Sequence, residues 1–240
     1  MTTDHIVKSF DEDLKKLDNI IAEMGGLAEV QLADAVEALI KRDTDLADRV
    51  IAGDKKIDAL EAELDNQATM TLALRQPMAD DLRTTITALR TASLIERIGD
   101  YAKNIAKRSV VLAQSPPLGP TKSIARMATL VQGMTKDVLD AYVARDVDKA
   151  EAVRARDADA DLLHTSLFRE ILTYMMEDPR TITSCTHLLF VSKNLERIGD
   201  HATNIAELVY YLVKGVPPTD EREKSDASSV TVVDSDRDEA

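Results

Sequence analysis

Glu96-Arg-Ile-Gly-Asp100-Tyr-Ala-Lys-Asn104-Ile-Ala106 returns at an offset of 100 as Glu196-Arg-Ile-Gly-Asp200-His-Ala-Thr-Asn204-Ile-Ala206, identical at nine of eleven positions. Further out, Arg42-Asp43-x-Asp45 recurs as Arg145-Asp146-x-Asp148, and Asp54-x-x-x-Asp58 recurs as Asp157-x-x-x-Asp161, both now at an offset of 103. Self-similarity over this span is the mark of a duplicated unit, and the change of offset makes one connection a few residues shorter in the second copy. Between the copies lies Gln114-Ser-Pro-Pro-Leu-Gly-Pro-Thr121, whose three prolines stop a helix and join two modules.

The repeated stretch is helical by its own spacing. Leu94, Ile95, Ile98, Ala102 and Ile105 cluster on one face at 100° per residue. Upstream, residues from about 4 to 42 carry Leu14, Leu17, Ile21, Met24, Ala28, Leu32, Ala35 and Leu39 at the same period. Asp43 is a fitting N-cap for a second helix that runs to about Leu74, where Gln76-Pro77 turns the chain. A third helix follows from about Asp80 to Ala113. The second copy repeats this with boundaries near Asp146 and Asp178-Pro179. The expected fold is therefore all-α: two tandem three-helix bundles, over 1–114 and 122–214. Residues 115–121 form the proline-rich linker, and an acidic, Ser-rich, aperiodic tail over 215–240 is expected to be disordered.

Composition agrees. The 240 residues hold 8 Gly, 7 Pro and 8 aromatics, too few turn-formers for an all-β chain. With 30 basic and 43 acidic residues the net charge is −13, which disfavours a phosphate-tracking nucleic-acid surface. The tail from Gly215 to Ala240 has 8 acids and 3 bases, leaving −8 on the body. A single cysteine, Cys185, forms no internal disulfide and fits a reducing cytoplasm. No secretory leader or membrane-spanning run is evident in the sequence.

The chemistry lies in the duplicated acids. Glu96, Asp100 and Asn104 form one stripe, centred far from the apolar face of their helix, and Glu196, Asp200 and Asn204 repeat it. The wheel sends both stripes outward, unlike the inward carboxylates and Glu-x-x-His pairs of di-iron bundles. Asp54 and Asp58 flank the apolar stripe of the second helix, as do Asp157 and Asp161 in the second copy. If the second and third helices are neighbours, four carboxylates and one amide oxygen converge on one surface groove per module. All-oxygen donors suit Mg²⁺, Ca²⁺, Mn²⁺ or iron, and suit zinc poorly. A solvated charged face is the plain alternative. Against it stand like charges at i and i+4, and Gly99 and Gly199 in mid-helix, each costing about 1 kcal/mol relative to Ala. The glycines suggest close approach of another backbone or of an ion cluster. His5, His164 and His187 show no ligand spacing, and His201, which follows Asp200 and could reach the acidic patch, is more simply a solvent-facing or packing residue. No nucleotide-binding or nucleophile motif occurs, so an enzyme is not expected.

The paired E-R-I-G-D-x-A-x-N-I-A motifs, with the Leu74-Arg-Gln-Pro-Met-Ala-Asp-Asp-Leu-Arg83 turn, resemble the PhoU family, the phosphate-specific transport accessory proteins of bacteria. The resemblance covers about residues 5–214. It implies a pseudo-twofold pair of three-helix bundles acting in the cytoplasm as a negative regulator of phosphate uptake and of the phosphate-starvation response. It implies coupling between the phosphate ABC transporter, through its ATPase subunit, and a PhoR-type sensor histidine kinase. A homodimer, membrane association only through those partners, no nucleic acid and no organic cofactor complete the expectation. Metal ions (iron, manganese, magnesium or calcium) are implied on Glu96, Asp100, Asn104, Glu196, Asp200 and Asn204, with Asp54, Asp58, Asp157 and Asp161 as the second acidic pair. Two rivals remain: a similar regulator of a different phosphate carrier, and a carboxylate metal-binding protein. His201 stands where the first copy has Tyr101, which puts the equivalence of the two sites in question.

Overall fold

In the computed structural model, which describes residues 2–220 and 225–228, the long apolar series of the N-terminal third forms α1 (Thr2–Lys41). Leu17, Ile21, Met24, Ala28, Leu32 and Ala35 are all buried in the core, as their 3.6-residue spacing requires. Arg42 ends the helix in the left-handed region at φ 59°, and Asp43 opens α2 (Thr44–Gly53) by accepting from the Leu46 N–H at 2.9 Å. The second copy repeats the device. Here α5 (Thr121–Ala144) ends at Arg145, φ 55°, and Asp146 caps α6 (Val147–Ala155) through the Lys149 N–H at 3.0 Å.

The expected second helix is divided in both copies. In the first it becomes α2 and α3 (Lys55–Arg75), with the break at Asp54. In the second it becomes α6 and α7 (Asp157–Glu177), with the break at Arg156. Gly53 precedes the first break, but Arg156 holds the corresponding place in the second, so glycine is not its general cause. What the two breaks share is the aspartate at the new N-terminus. There the exposed backbone N–H groups and the helix dipole favour a carboxylate, which lessens the cost of burying Asp54 and Asp157.

The third helices are α4 (Ala79–Leu112) and α8 (Ile182–Lys214), the latter entered through a 3₁₀ turn at Pro179–Thr181. They pack against each other in antiparallel sense. The Arg83 side chain donates to the Leu212 carbonyl (3.2 Å), the Tyr101 and His201 rings stack at 5.6 Å, and Arg108 meets His187 at 3.2 Å. Tyr101 and His201 are the same position of the repeat. Their mutual contact therefore marks a local twofold relation between the modules. A second tie joins α1 to α5, where Arg145 donates to both oxygens of Asp18 at 2.8 and 2.9 Å.

Helix accounts for all regular structure among the described residues, and none of these helices is long and apolar enough to cross a membrane. Gly215, at φ 79°, caps α8 by donating its N–H to the Tyr211 carbonyl. Of the tail expected to be disordered, 221–224 and 229–240 lie outside the described residues. Residues 225–228 do not fit that expectation, because they are bonded to the second module.

Candidate functional site

The stripe of α4 lies against α3, and the stripe of α8 lies against α7, as the convergence of the two acidic pairs required. The outward orientation expected of the two stripes is corrected at Glu196, which is buried, while their other five members are half-buried against the neighbouring helix. Asp54, Asp157, Asp161 and Glu196 are buried, at 4, 2, 4 and 7% exposure. Glu96, Asp100, Asn104, Asp200 and Asn204 are half-buried, and Asp58 alone is exposed. A wheel registers only the face that a helix turns to its own core. It is blind to the neighbour that packs beside that face, here the helix beginning at each break.

In the first module Asp54 is held by two donors that spacing did not single out as its partners. Gln31 on α1 donates Nε2 to Asp54 Oδ1 at 3.0 Å and to the Gly99 carbonyl at 3.3 Å. Lys103 on α4 places its ammonium between Asp54 and Asp100, bonded to both. Burial works against its charge, but these two carboxylates outweigh burial and raise its pKa. Glu96 is bonded to no cation among the described residues, and Arg97 beside it only partly offsets its surroundings. Burial, with Asp100, Glu61 and Asp58 nearby, pushes its carboxyl up to about 7. Burial, then Asp54, also raises Asp58. Gly99 is explained sterically: a Cβ there would lie 2.9 Å from the Ile57 side-chain tip. The close approach is by a side chain.

The second module uses different groups at the same places. Thr203 replaces Lys103, and its hydroxyl donates to Asp157 Oδ1 at 3.1 Å. Met134 replaces Gln31 beside the glycine, and a Cβ on Gly199 would make only ordinary contacts, none closer than 3.7 Å. The nearby cation is Lys193, one turn earlier on α8, at 2.9 Å from Glu196 Oε1 and 3.1 Å from Asp226. Burial raises the Glu196 carboxyl despite this lysine, and burial likewise raises Asp161 despite a backbone N–H donated by Ser225. Asp161, Lys193, Glu196 and Asp226 border a cleft of about 580 Å³ along α8, with Tyr101 of α4 and His201, Asp200 and Asn204 of α8 on its walls.

Among the described residues no three His, Cys, Asp or Glu side chains are gathered as a ready-made metal cage. In the first module the Lys103 ammonium already fills the position between Asp54 and Asp100. In the second, Glu196 Oε2 is buried with no hydrogen-bond partner among the described residues, and it borders the cleft with Asp161, Asp200 and Asn204. An orphaned carboxylate oxygen is an opening for a hard cation, but Lys193 already pairs with Oε1 of the same carboxylate, and Arg197 and His201 share the cleft lining. In both modules a lysine therefore already occupies part of the carboxylate cluster.

Comparison with known proteins bears on the whole chain. A family model described as the PhoU domain matches twice, over residues 21–109 and 124–209. A phosphate-specific transport system accessory protein PhoU homolog of Caulobacter vibrioides is 51% identical over 228 residues, 95% of this chain and 99% of that protein. The protein of the same description from Rhizobium meliloti is 50% identical, covering 95% of this chain and 97% of its own length. Among solved structures, PhoU from Pseudomonas aeruginosa superposes with a TM-score of 0.84 at 40% identity, over 86% of this chain and all of that one. The phosphate transport system regulatory protein PhoU from Streptococcus pneumoniae gives 0.79 at 28% identity, over 87% of this chain and 99% of that one.

Proposed function

The chain belongs to the PhoU family, and from that premise we propose that it is an accessory regulator of a phosphate-specific transport system. On this reading it restrains phosphate uptake and the starvation response when phosphate is plentiful. It does so as a cytoplasmic adaptor between the ATPase subunit of the transporter and a PhoR-type kinase, working as a homodimer. The observation that carries the proposal is half-identity over nearly the full length of relatives described as accessory proteins of that system. The duplicated acidic surfaces supply the chemistry of an adaptor. A body carrying −8 repels free phosphate, whereas clustered carboxylates attract a partner's Arg and Lys side chains or a hard cation.

Where a cation is bound, Glu96, Asp100 and Asn104 with Asp58, and Glu196, Asp200 and Asn204 with Asp161, would hold it. Asp54 and Asp157, at the helix breaks, would support these two sets. A bound cation would add positive charge to a surface that otherwise selects basic partners. Lys103 plays that part in the first module already, so a metal there must displace it. Iron, manganese, magnesium or calcium would suit these oxygens.

The decisive experiment is deletion of the gene followed by a phosphate-starvation reporter in high phosphate. The expected result is derepression, reversed by the wild-type chain. A reporter that stays repressed overturns the proposal. For the cation, elemental analysis of the wild-type chain against a D100A/D200A variant should show metal lost with the carboxylates. Unchanged content would reject the assignment of these ligands.

A further inference from the structure

Residues 225–228 cross the second module at its acidic site and join its two helices. The Ser225 N–H donates to Asp161 Oδ2 at 2.8 Å, and the Ala227 N–H donates to Thr165 Oγ1 at 3.1 Å. Asp161 and Thr165 lie one turn apart on the same face of α7, matched to alternate amides of the segment. Between these amides Asp226 turns to α8 and accepts from Lys193 Nζ at 3.1 Å. The Ser228 N–H closes a turn on Asp226 Oδ1 at 2.8 Å. An acidic segment on an acidic site is thereby reconciled with electrostatics. One backbone N–H, that of Ser225, faces Asp161, and the carboxylate that the described segment brings in, Asp226, is met by Lys193. These bonds hold the Asp226 carboxyl down to about 2, against its burial.

The receptor groups belong to one copy of the repeat. Positions equivalent to Asp161, Thr165 and Lys193 are Asp58, Ala62 and Ser93 in the first module, so two of its three docking groups are missing. Asp58 is accordingly exposed, while Asp161 is 4% exposed.

We propose that Ser225–Ser228 is a built-in ligand of the second module, a strap that covers Asp161 on α7 and ties it to Lys193 on α8, where the first module has no equivalent docking groups. The chain then presents two acidic surfaces of unequal access, and an acidic Asp-Ala-Ser segment is the chemistry that the second accepts. That closure bears on partner or cation access rests on the adaptor reading above. The docking itself does not.

Two measurements on the full chain test it. Backbone amides of Ser225 and Ala227 should exchange with solvent at least about tenfold more slowly than in an unfolded chain. Asp226→Ala should return them to the unfolded rate without touching the helices. Carboxyl labelling with a carbodiimide and glycine ethyl ester, read by mass spectrometry, should rise several-fold at Asp161 and Glu196 when the chain ends at Asp220. Asp58 and Glu96 should label equally in both chains, which reports that the fold is intact. Unprotected amides in the wild-type chain overturn the docking, and equal labelling of Asp161 with and without the tail overturns the closure. Neither readout depends on phosphate regulation or metal, so a failure here is separable from a failure of the adaptor reading.

Discussion

Glu96 and the two motif glycines show how single residues in a duplicated sequence acquire different work. Glu96 sits among Asp100, Glu61 and Asp58, and with burial these raise its carboxyl to about 7. Between its ordinary value of 4.5 and 7, the folded chain holds a proton that the unfolded chain has released. The associated stability is present at acidic pH and is lost as pH rises through 7. Urea midpoints of the wild-type chain should therefore fall, relative to those of Glu96→Gln, between pH 5 and pH 8. Parallel profiles would refute the shift. At the glycines, Ala is a better helix former by about 1 kcal/mol. Gly199→Ala, with ordinary contacts only, should be neutral to stabilising by about that amount. Gly99→Ala must displace Ile57, a fully packed core side chain, and overpacking costs about 1–3 kcal/mol. The two variants should accordingly separate in thermal unfolding, with Gly99→Ala melting lower. Sequence alone marked both glycines as equivalent, because the atom that distinguishes them belongs to a residue some forty positions away.

At the scale of the element, the termini were readable and the interruptions were not. Asp43 and Asp146 were legible as caps because a cap is local: a short acceptor, the next three N–H groups and nothing else. Replacing either with Ala should cost about 1 kcal/mol in urea denaturation, and the two losses should add, since the caps lie in different modules. The break at Asp54 and Arg156 had no such local signal. Gly53 hints at the first, yet the second occurs without glycine. The break is legible only afterwards, as the way two buried aspartates reach helix N-termini. It is also what sets Asp54 within reach of Gln31 and Lys103, and Asp157 within reach of Thr203.

At the scale of the whole molecule, the modules are tied by the antiparallel α4–α8 pair, by the Tyr101–His201 stack and by the Arg145–Asp18 bridge. Contacts of this kind make the two bundles unfold together. Cys185, fully buried on α8, gives a local probe of the second module. Its thiol labelling against urea should share one midpoint with the loss of helical circular dichroism, and two separated midpoints would show that the modules unfold independently. The amino-acid sequence by itself determined the helical class, the duplication, the caps and the identity of the acids. All of these depend on spacing along one helix or on similarity along the chain. Tertiary structure decided which acids are buried, which cation each meets and where the tail lies. Those outcomes depend on distances between segments far apart in the chain, 127 residues for Asp18 and Arg145, and no periodicity encodes such a distance.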